Sequence, residues 1–528
     1  MIFRILLFGA VLLAQAQAQA QAQEHRGGVL RLLASSGAGS IDPQINYTAQ
    51  FWQVFAGVYD GLVGFRKVAG AAGLEVVGDL AEAVPVPERG LVYRFRLRPG
   101  VRFSDGAVVR GADVVASFRR IFRVGSPTGE SFFGAILGAG ECLKAPGECV
   151  LPGVRAEGDV VTIELVRPDP EFLQKLALPH ASILPEGAPG HDGGSVPIAG
   201  TGPYRIAAYD ANEALVLERN PFFQVWSEAA QPDGFVDGVR YEYGLEAEAQ
   251  VTAVLSGQAD WMYDGPPPDR LGEVARHADQ VHINPAFALT FVPLNTHLAP
   301  FDNLRVRRAF NLAVDRLAVV RLFGGRGLAA PLCQAVPPGL PGYEPYCPYA
   351  PDLAQARRLV AESGTAGQAV TLVTDDAATS RGVGAYLVDV LGQLGFRARV
   401  QSLSGGVQFS YIQNTGNHVQ ASLTGWYADF PSAANILTGN FGCAAFRPGS
   451  DSSTNIPGFC DRGLDARLAA AVLAGDWGAV AAVDRAITDQ APAVVLVSPR
   501  YIDVVSRRVG NFVYHETYRW LIQRAWVQ

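Results

Sequence analysis

The most informative stretch of the chain is residues 300–316, which read PFDNLRVRRAFNLAVDR. Apolar residues recur there at helical spacing, so the stretch predicts the start of an amphipathic helix. The predicted apolar face carries Val306, Ala309, Phe310, Ala313 and Val314. Asn303 precedes the first turn, where its side chain can accept a hydrogen bond from a free backbone amide. The order of residue types in this stretch is far more specific than amphipathicity alone.

The composition around this stretch is that of a large globular protein. Of the 528 residues, 49% are hydrophobic and 18% are charged, a balance that argues against a disordered chain. A chain of this length can bury a large core and is expected to divide into more than one domain. The formal net charge of -7 attracts neither nucleic acid nor an anionic membrane surface. We therefore expect no nucleic-acid partner.

Residues 1–22 predict a secretory signal peptide. Arg4 supplies a short positive region, and the apolar run from Ile5 to Ala14 is too short to span a bilayer. An Ala-Gln tract with several Ala-x-Ala cleavage sites follows, between Ala14 and Ala22. No cysteine lies near these sites, so we expect a periplasmic protein without a lipid anchor. An uncleaved interfacial helix is the alternative interpretation of the same residues.

The six cysteines lie in three close pairs along the sequence. The pairs are Cys142 with Cys149, Cys333 with Cys347, and Cys443 with Cys460. In an exported chain, an even number of paired cysteines favours disulfides, so we predict three local bonds. Free buried cysteines are the alternative. A metal site is disfavoured because no Cys-x-x-Cys spacing occurs.

The second half of the chain alternates predicted helices and strands. Helices are expected at 352–363 and 382–394, and strands at 369–374 and 397–403. Such alternation is typical of a mostly parallel sheet covered by helices, which places the chain in the α/β class.

Three blocks of sequence together resemble one protein family. They are residues 300–316, residues 79–118, and the Gly-Thr-Gly-Pro-Tyr run at 200–204. Their types and order are similar to those of the extracytoplasmic solute-binding proteins of family 5, the peptide, oligopeptide and nickel receptors of ABC importers. Within the second block, Arg110-Gly111 replaces the family's usual Thr-Ala, so a weaker helix cap is expected there.

The resemblance implies a fold and a domain organisation. The fold is the two-lobed type II periplasmic-binding fold of the large (cluster C) kind, with an accessory subdomain inserted in the first lobe. The implied bounds are 24–60, 197–290 and 496–528 for lobe I, 61–196 for the accessory subdomain, and 291–495 for lobe II. Strand crossings near Phe287–Leu294 and Val494–Ser498 would form the hinge, and a solute would be captured between the lobes.

The candidate binding motif is the run Gly425, Trp426, Tyr427, Ala428, Asp429, Phe430 and Pro431. It follows a predicted apolar strand, Val419 to Leu423, and ligands of open α/β sheets bind at the carboxyl ends of strands. A partly buried carboxylate among aromatic rings needs a cation or hydrogen-bond donors. By resemblance to the family's Trp-x-x-Asp, Asp429 would receive a peptide's α-amino group, with Trp426 beside it. The alternatives are that Asp429 caps a helix beginning near Ser432, or pairs with an arginine.

Two further residues are candidates for ligand contact. Arg381, expected just before the 382–394 helix, could bind a ligand carboxylate through its guanidinium group. Tyr47, in the loop after the first strand together with Gln44, would line the binding cleft by resemblance to the family. A solvated surface arginine and an ordinary surface loop are the alternative interpretations. Ser498 and Pro499 stand where oligopeptide receptors often carry tyrosines, which argues against a typical oligopeptide pocket.

Together these features predict the receptor of an ABC importer. It would act as a monomer, capture a small solute, with a short peptide as the expected ligand, and deliver it to the transmembrane subunits of a permease. No cofactor or metal is expected, because the sequence contains no catalytic or metal-binding motif. A nickel chelate, an opine or an oligosaccharide is the alternative ligand. A secreted hydrolase or an extracellular sensor is the alternative class of protein.

Overall fold

The computed structural model describes residues 25–37 and 39–528, so the predicted signal peptide lies outside the described residues. The chain divides into two compact units. Unit 1 contains the residues up to His282 together with Ile502–Gln528, and unit 2 is Ile283–Tyr501. The chain therefore passes between the units twice. The lobe and subdomain bounds inferred from the sequence remain a prediction.

The strands are numbered here in chain order. They are β1 Val29–Ala34, β2 Val63–Phe65, β3 Val76–Gly78, β4 Val92–Arg96, β5 Val154–Glu157, β6 Val160–Glu164, β7 Tyr204–Asp210, β8 Ala214–Arg219, β9 Gly238–Tyr243, β10 Trp261–Met262, β11 Val281–Pro285, β12 Ala288–Pro293, β13 Ala329–Pro331, β14 Ala369–Asp375, β15 Arg397–Leu403, β16 Ala421–Ser422, β17 Thr424–Tyr427, β18 Ala493–Val504, β19 Val509–Gly510, β20 Tyr514–His515, β21 Arg519–Trp520 and β22 Trp526–Val527.

The helices are identified by their bounds. They are Ala49–Phe55, Gly111–Arg123, Gly129–Phe133, Ala139–Lys144, Phe172–Leu176, Ala247–Leu255, Leu271–Val274, Leu304–Ala313, Arg316–Leu322, Leu353–Ser363, Ala378–Gln393, Gly405–Gln413, Ala433–Phe441, Arg462–Ala474 and Trp477–Gln490. Within the described residues, none of them combines the length and the apolar character needed to cross a membrane.

Unit 1 is built around a five-stranded sheet with the order β10-β1-β9-β8-β7. Strand β1 runs parallel to both β9 and β10, whereas β8 is antiparallel to β7 and β9. A smaller antiparallel sheet, β4-β6-β5, lies within the same unit. In β4 the alternation of apolar and basic residues buries Tyr93 and Phe95 and exposes Arg94 and Arg96, as a half-exposed strand requires.

Unit 2 contains two main sheets. One has the order β11-β18-β12-β17, and β13 pairs with β18. The other is β15-β14-β16, in which β14 runs parallel to both neighbours. The expected alternation of strands and helices is confirmed: the Leu353–Ser363 helix ends at Gly364, which has a left-handed backbone, and β14 follows.

The signature stretch 300–316 forms the end of a loop, one helix and the start of another. Asn303 caps the Leu304–Ala313 helix, since its side chain accepts a hydrogen bond of 2.9 Å from the Arg305 amide. The predicted helix is confirmed, and Val306, Ala309 and Phe310 are fully buried. The helix ends at Ala313, and Asp315 then caps the Arg316–Leu322 helix.

Two buried arginines explain why this stretch is so specific. Arg307 donates to the carbonyl oxygens of Phe301 at 2.9 Å and Gln490 at 3.1 Å. Arg316 donates to the carbonyl oxygens of Leu332 at 3.0 Å and Val495 at 2.7 Å. These bonds tie the signature helices to β18 and to the helix before it, and burial lowers the pKa of Arg316 to about 10.

The three predicted disulfides are confirmed. The Cα atoms are 4.4 Å apart for Cys142–Cys149, 5.1 Å for Cys333–Cys347 and 4.6 Å for Cys443–Cys460. Each bond closes a local loop, since its sequence separation is at most 17 residues.

Candidate functional site

The residues of the candidate binding motif lie partly in a strand. Gly425, Trp426 and Tyr427 belong to β17, which pairs antiparallel with β12 and forms one end of its sheet. The strand predicted from Val419 to Leu423 is present as β16, Ala421–Ser422, but the motif does not start at a carboxyl end, because its first three residues belong to a second strand, β17. The backbone pairing that sets this strand is made with Ala288–Phe291, far away in sequence, so no local pattern could predict it.

Asp429 lies just beyond the end of β17 and is partly buried. Its backbone amide donates to Asn435 Oδ1 at 3.0 Å, and Asn435 Nδ2 donates to Asp429 Oδ2 at 2.8 Å. Asn435 belongs to the Ala433–Phe441 helix, which Ser432 caps, so Asp429 does not supply the cap. The reciprocal pair fixes the orientation of the carboxylate. A negative charge held in this way is suited to binding a ligand cation.

The two aromatic residues of the motif have different environments. Trp426 is partly buried and packs on the apolar core of unit 2, with its ring centroid 6.4 Å from that of Phe409. Tyr427 is 53% exposed and stacks on Tyr501, with ring centroids 6.0 Å apart and planes 20° apart. Trp426 therefore anchors the strand, and the tyrosine pair offers an aromatic surface.

Tyr501 was missed by sequence reasoning. It lies in β18, three residues after the buried Ser498. Ser498 and Pro499 replace the tyrosines that oligopeptide receptors often carry, and Tyr501 lies slightly further along the same strand, where it could have been noticed.

Arg381 lies inside the Ala378–Gln393 helix, so the expectation that it precedes a helix starting at residue 382 was wrong. The helix begins earlier because Asp375 accepts hydrogen bonds of 2.9 Å from both the Ala377 amide and the Ser380 hydroxyl. Arg381 is exposed and donates to the carbonyl oxygen of Asp376. It lies in the turn of helix that follows β14, near the carboxyl end of that strand.

Tyr47 belongs to unit 1 and is 42% exposed. Its ring contacts the edges of His180 at 5.2 Å and Trp52 at 5.8 Å, measured between centroids. His180 is fully buried, and burial lowers its pKa to about 3. The expectation that Gln44 lines a cleft was wrong, because it is fully buried and accepts a 2.9 Å hydrogen bond from Arg120.

A charged aromatic cluster in unit 1 was also missed. The Arg519 guanidinium lies 5.0 Å from the centroid of Trp261 and 4.8 Å from that of Tyr263. Asp503 is fully buried and accepts from Arg519 Nε at 3.2 Å and from Trp261 Nε1 at 3.1 Å. These residues are far apart in sequence and match no motif, so only the fold brings them together.

Within the described residues, no group of three or more His, Cys, Asp or Glu side chains is arranged to hold a metal ion. Among the predicted site residues of unit 2, Asp429 lies within three positions of the aromatic residues Trp426 and Tyr427.

The chain is similar in sequence to known proteins. Residues 75–447 match the family described as "Bacterial extracellular solute-binding proteins, family 5 Middle". The glutathione-binding protein GsiB of Salmonella typhi is 26% identical over 469 residues, and the match covers 86% of each chain.

Solved structures show the same fold. The protein titled "Clavulanic acid biosynthesis oligopeptide binding protein 2" has a TM-score of 0.86 at 25% identity, and the match covers 95% of this chain and 96% of that chain. The periplasmic binding protein DppA from Helicobacter pylori, solved in complex with the peptide STSA, has a TM-score of 0.79 at 21% identity, with 96% and 99% covered. These likenesses confirm the fold class predicted from the sequence.

Proposed function

The chain belongs to the bacterial extracellular solute-binding proteins of family 5, and on that premise we propose that it captures short peptides with a free α-amino group for an ABC importer. Members of this family bind solutes outside the cytoplasm, so the chain is a binding protein and not an enzyme. The class of ligand is inferred from this chain's own residues.

The reciprocal pair of Asp429 and Asn435 carries the argument. Asn435 donates to one carboxylate oxygen at 2.8 Å, which fixes the orientation of the carboxylate. A peptide ammonium would supply both a positive charge and three donors. Because Asp429 is partly buried, the attraction between these charges is stronger than it would be in bulk water.

The comparisons support the same class of ligand. GsiB is named as a glutathione-binding protein, and DppA was solved with a peptide. Glutathione and the peptide both carry a free ammonium and a carboxylate. We propose that Asp429 meets the ammonium and that Arg381 meets a carboxylate. Trp426, Tyr427, Gly425 and Tyr47 would complete the ligand contacts.

Three further proposals concern export, oligomeric state and partner proteins. We propose that residues 1–22 are removed during export and that the mature chain works as a periplasmic monomer. Its macromolecular partners would be the transmembrane subunits of an ABC permease. The absence of a cysteine near the Ala-Gln tract supports a mature protein that is not lipid-anchored.

Calorimetric titration tests the peptide proposal. The ligands are trialanine, N-acetyl-trialanine and glutathione, measured against the wild type and Asp429→Asn. We expect the wild type to bind a free-amine peptide and to lose it on N-acetylation. A hydrogen-bonded charge contributes about 3 kcal/mol at most, so Asp429→Asn should weaken binding up to about a hundredfold.

Asp389→Asn is the matched control, because Asp389 is an exposed carboxylate in the same unit. It should bind as the wild type does. Equal affinity for acetylated and free peptides would disprove the amine anchor. Binding of only a nickel chelate, an opine or an oligosaccharide would disprove the peptide proposal and leave the family assignment intact.

A further inference from the structure

The core of unit 1 contains two carboxyl groups and one ammonium group that are almost completely buried. Asp60, Asp79 and Lys67 are each 3% exposed. They line a cavity of about 20 Å³ together with Tyr59 and Tyr518. A cavity of that size holds about one water molecule, so bulk solvent does not stabilise these charges. Their charges must be balanced by one another or by bound protons.

Asp60 is bonded as an ionised carboxylate. Its Oδ1 accepts from Gln231 Nε2 at 2.6 Å, and its Oδ2 accepts from the Thr201 hydroxyl at 2.6 Å. Both oxygens therefore act as acceptors, so neither of them is expected to carry a proton.

Asp79 is bonded differently. Its Oδ1 accepts from Trp226 Nε1 at 3.0 Å, and its side chain lines the same small cavity as that of Asp60. Two buried carboxylates beside one cavity of this size cannot both be ionised at low cost, so they are expected to share one proton. Burial, together with the charge of Asp60, raises the pKa of Asp79 well above its ordinary value. Because both oxygens of Asp60 already accept hydrogen bonds, we place the shared proton on Asp79.

Lys67 supplies the balancing positive charge. Its Nζ donates to the carbonyl oxygen of Ala56 at 3.1 Å and lies 4.7 Å from the centroid of the Tyr518 ring. Burial lowers the pKa of Lys67, and the charges of Asp79 and Asp60 oppose that shift. One shared proton and one ammonium make the three groups neutral as a set.

The other ionisable groups around the set are two tyrosines and a histidine, which are neutral, and two arginines, which are bonded to main-chain carbonyl oxygens. Burial raises the pKa of Tyr59 and of Tyr518, so both phenols stay neutral. Burial also lowers the pKa of His515 to about 3, so this imidazole is neutral at physiological pH. The cations Arg98 and Arg524 are bonded to the carbonyl oxygens of Asp79 and Lys67 at 2.8 and 3.1 Å.

The set joins segments that are far apart in sequence. The Ala56 carbonyl, at the end of the Ala49–Phe55 helix, accepts from Lys67 and also from Gln231 at 3.0 Å and Gln523 at 3.2 Å. Thr201 of the Gly-Thr-Gly-Pro-Tyr run holds Asp60. The proton thus lies where four separated segments of unit 1 meet.

We propose that Asp60 and Asp79 keep one proton between them in the folded protein, and that this retained proton makes unit 1 progressively less stable as the pH rises. The sign follows from proton linkage. The folded state binds a proton that the unfolded chain, with ordinary carboxyl groups, has already released at neutral pH. The unfolding equilibrium constant therefore rises tenfold per pH unit while the folded pair keeps its proton.

The experiment counts protons. The full exported protein is unfolded in concentrated urea at about pH 8 in weak buffer, and the acid or base needed to hold the pH is titrated. Buried histidines do not contribute, because they are neutral in both states at this pH. We expect the wild type to release about one proton more than Asp79→Asn. The asparagine amide can donate to Asp60 in place of the acidic proton, so this variant should fold.

Asp105→Asn is the matched control, because Asp105 is an exposed carboxylate in unit 1. It should release as many protons as the wild type. Infrared difference spectroscopy on the wild type gives a second measurement: a protonated carboxyl band should persist at about pH 8. Equal proton release from the wild type and Asp79→Asn would overturn the proposal. If that variant does not fold, absence of the infrared band from the wild type would overturn it.

Discussion

Lowering the pH should destabilise unit 1 through His515, and the size of the effect follows from its contacts. The side chain is fully buried, and its ring stacks on Tyr518 with centroids 4.8 Å apart. Nδ1 accepts from the amides of Thr517 at 3.0 Å and Tyr518 at 3.2 Å, so the proton must be on Nε2, which donates to the Gly73 carbonyl at 3.0 Å. A second proton, on Nδ1, would face the N–H groups of these two amides, so protonation is unfavourable.

Burial, with a smaller effect of the Lys67 charge, lowers the pKa of His515 from 6.5 to about 3. Below pH 6.5 the unfolded chain binds a proton at this histidine, whereas the folded protein does not. The free energy of unfolding therefore falls as the pH falls toward 3. At about pH 5 the loss is roughly 2 kcal/mol relative to about pH 8. His180, whose pKa is also lowered to about 3, adds a similar loss.

The substitution His515→Asn isolates this contribution. Asparagine can still accept the two amide hydrogen bonds but cannot titrate, and it loses the bond to Gly73. At about pH 8 the variant should be roughly 1 kcal/mol less stable than the wild type, from one lost hydrogen bond. At about pH 5 that deficit should shrink or reverse, because only the wild type loses the further 2 kcal/mol or so.

Urea unfolding followed by circular dichroism at several pH values measures the difference. His418→Asn is the matched control, since His418 is exposed and has a left-handed backbone that asparagine tolerates. Its stability should follow that of the wild type at every pH. A deficit of His515→Asn that stays constant from about pH 8 to 5 would refute the reasoning.

Three further predictions concern unit 2. Asn435→Ala should fold normally but bind trialanine about tenfold more weakly, because Asp429 loses its orienting partner; unchanged affinity by calorimetry would argue against that role. Asn303→Ala should cost about 1 kcal/mol of unfolding free energy through the lost helix cap, and a urea midpoint equal to that of the wild type would contradict this. Replacing Cys443 and Cys460 together by serine should cost about 3 kcal/mol in the chain-entropy model. Scanning calorimetry checks the last prediction, which fails if the transition does not move.

The elements that can be predicted well from the sequence depend on residues that are close together in the chain. The signature helix and its Asn303 cap follow from residues a few positions apart. The same holds for the disulfides, since the partners in each pair, such as Cys142 and Cys149, are close in sequence. The family assignment rests on the same local blocks, in particular residues 300–316.

The elements that the sequence could not predict depend on distant partners. Gly425–Tyr427 is a strand because it pairs with Ala288–Phe291. The orientation of Asp429 depends on Asn435, whose side chain has many possible roles in a helix. Asp60 and Asp79 have no sequence pattern in common, so the proton between their carboxyl groups could be inferred only from the folded structure.

The division of the chain also determines when each unit can be completed during synthesis. Unit 2 is one uninterrupted segment, so all of its residues have emerged once Tyr501 is made. Unit 1 needs residues 502–528, because Trp520 is fully buried in it and Gln523 bonds to Ala56 at 3.2 Å. Unit 1, which contains the first part of the chain, is therefore completed only after unit 2. Until then, the apolar surface that the last residues cover stays open to proteases and chaperones.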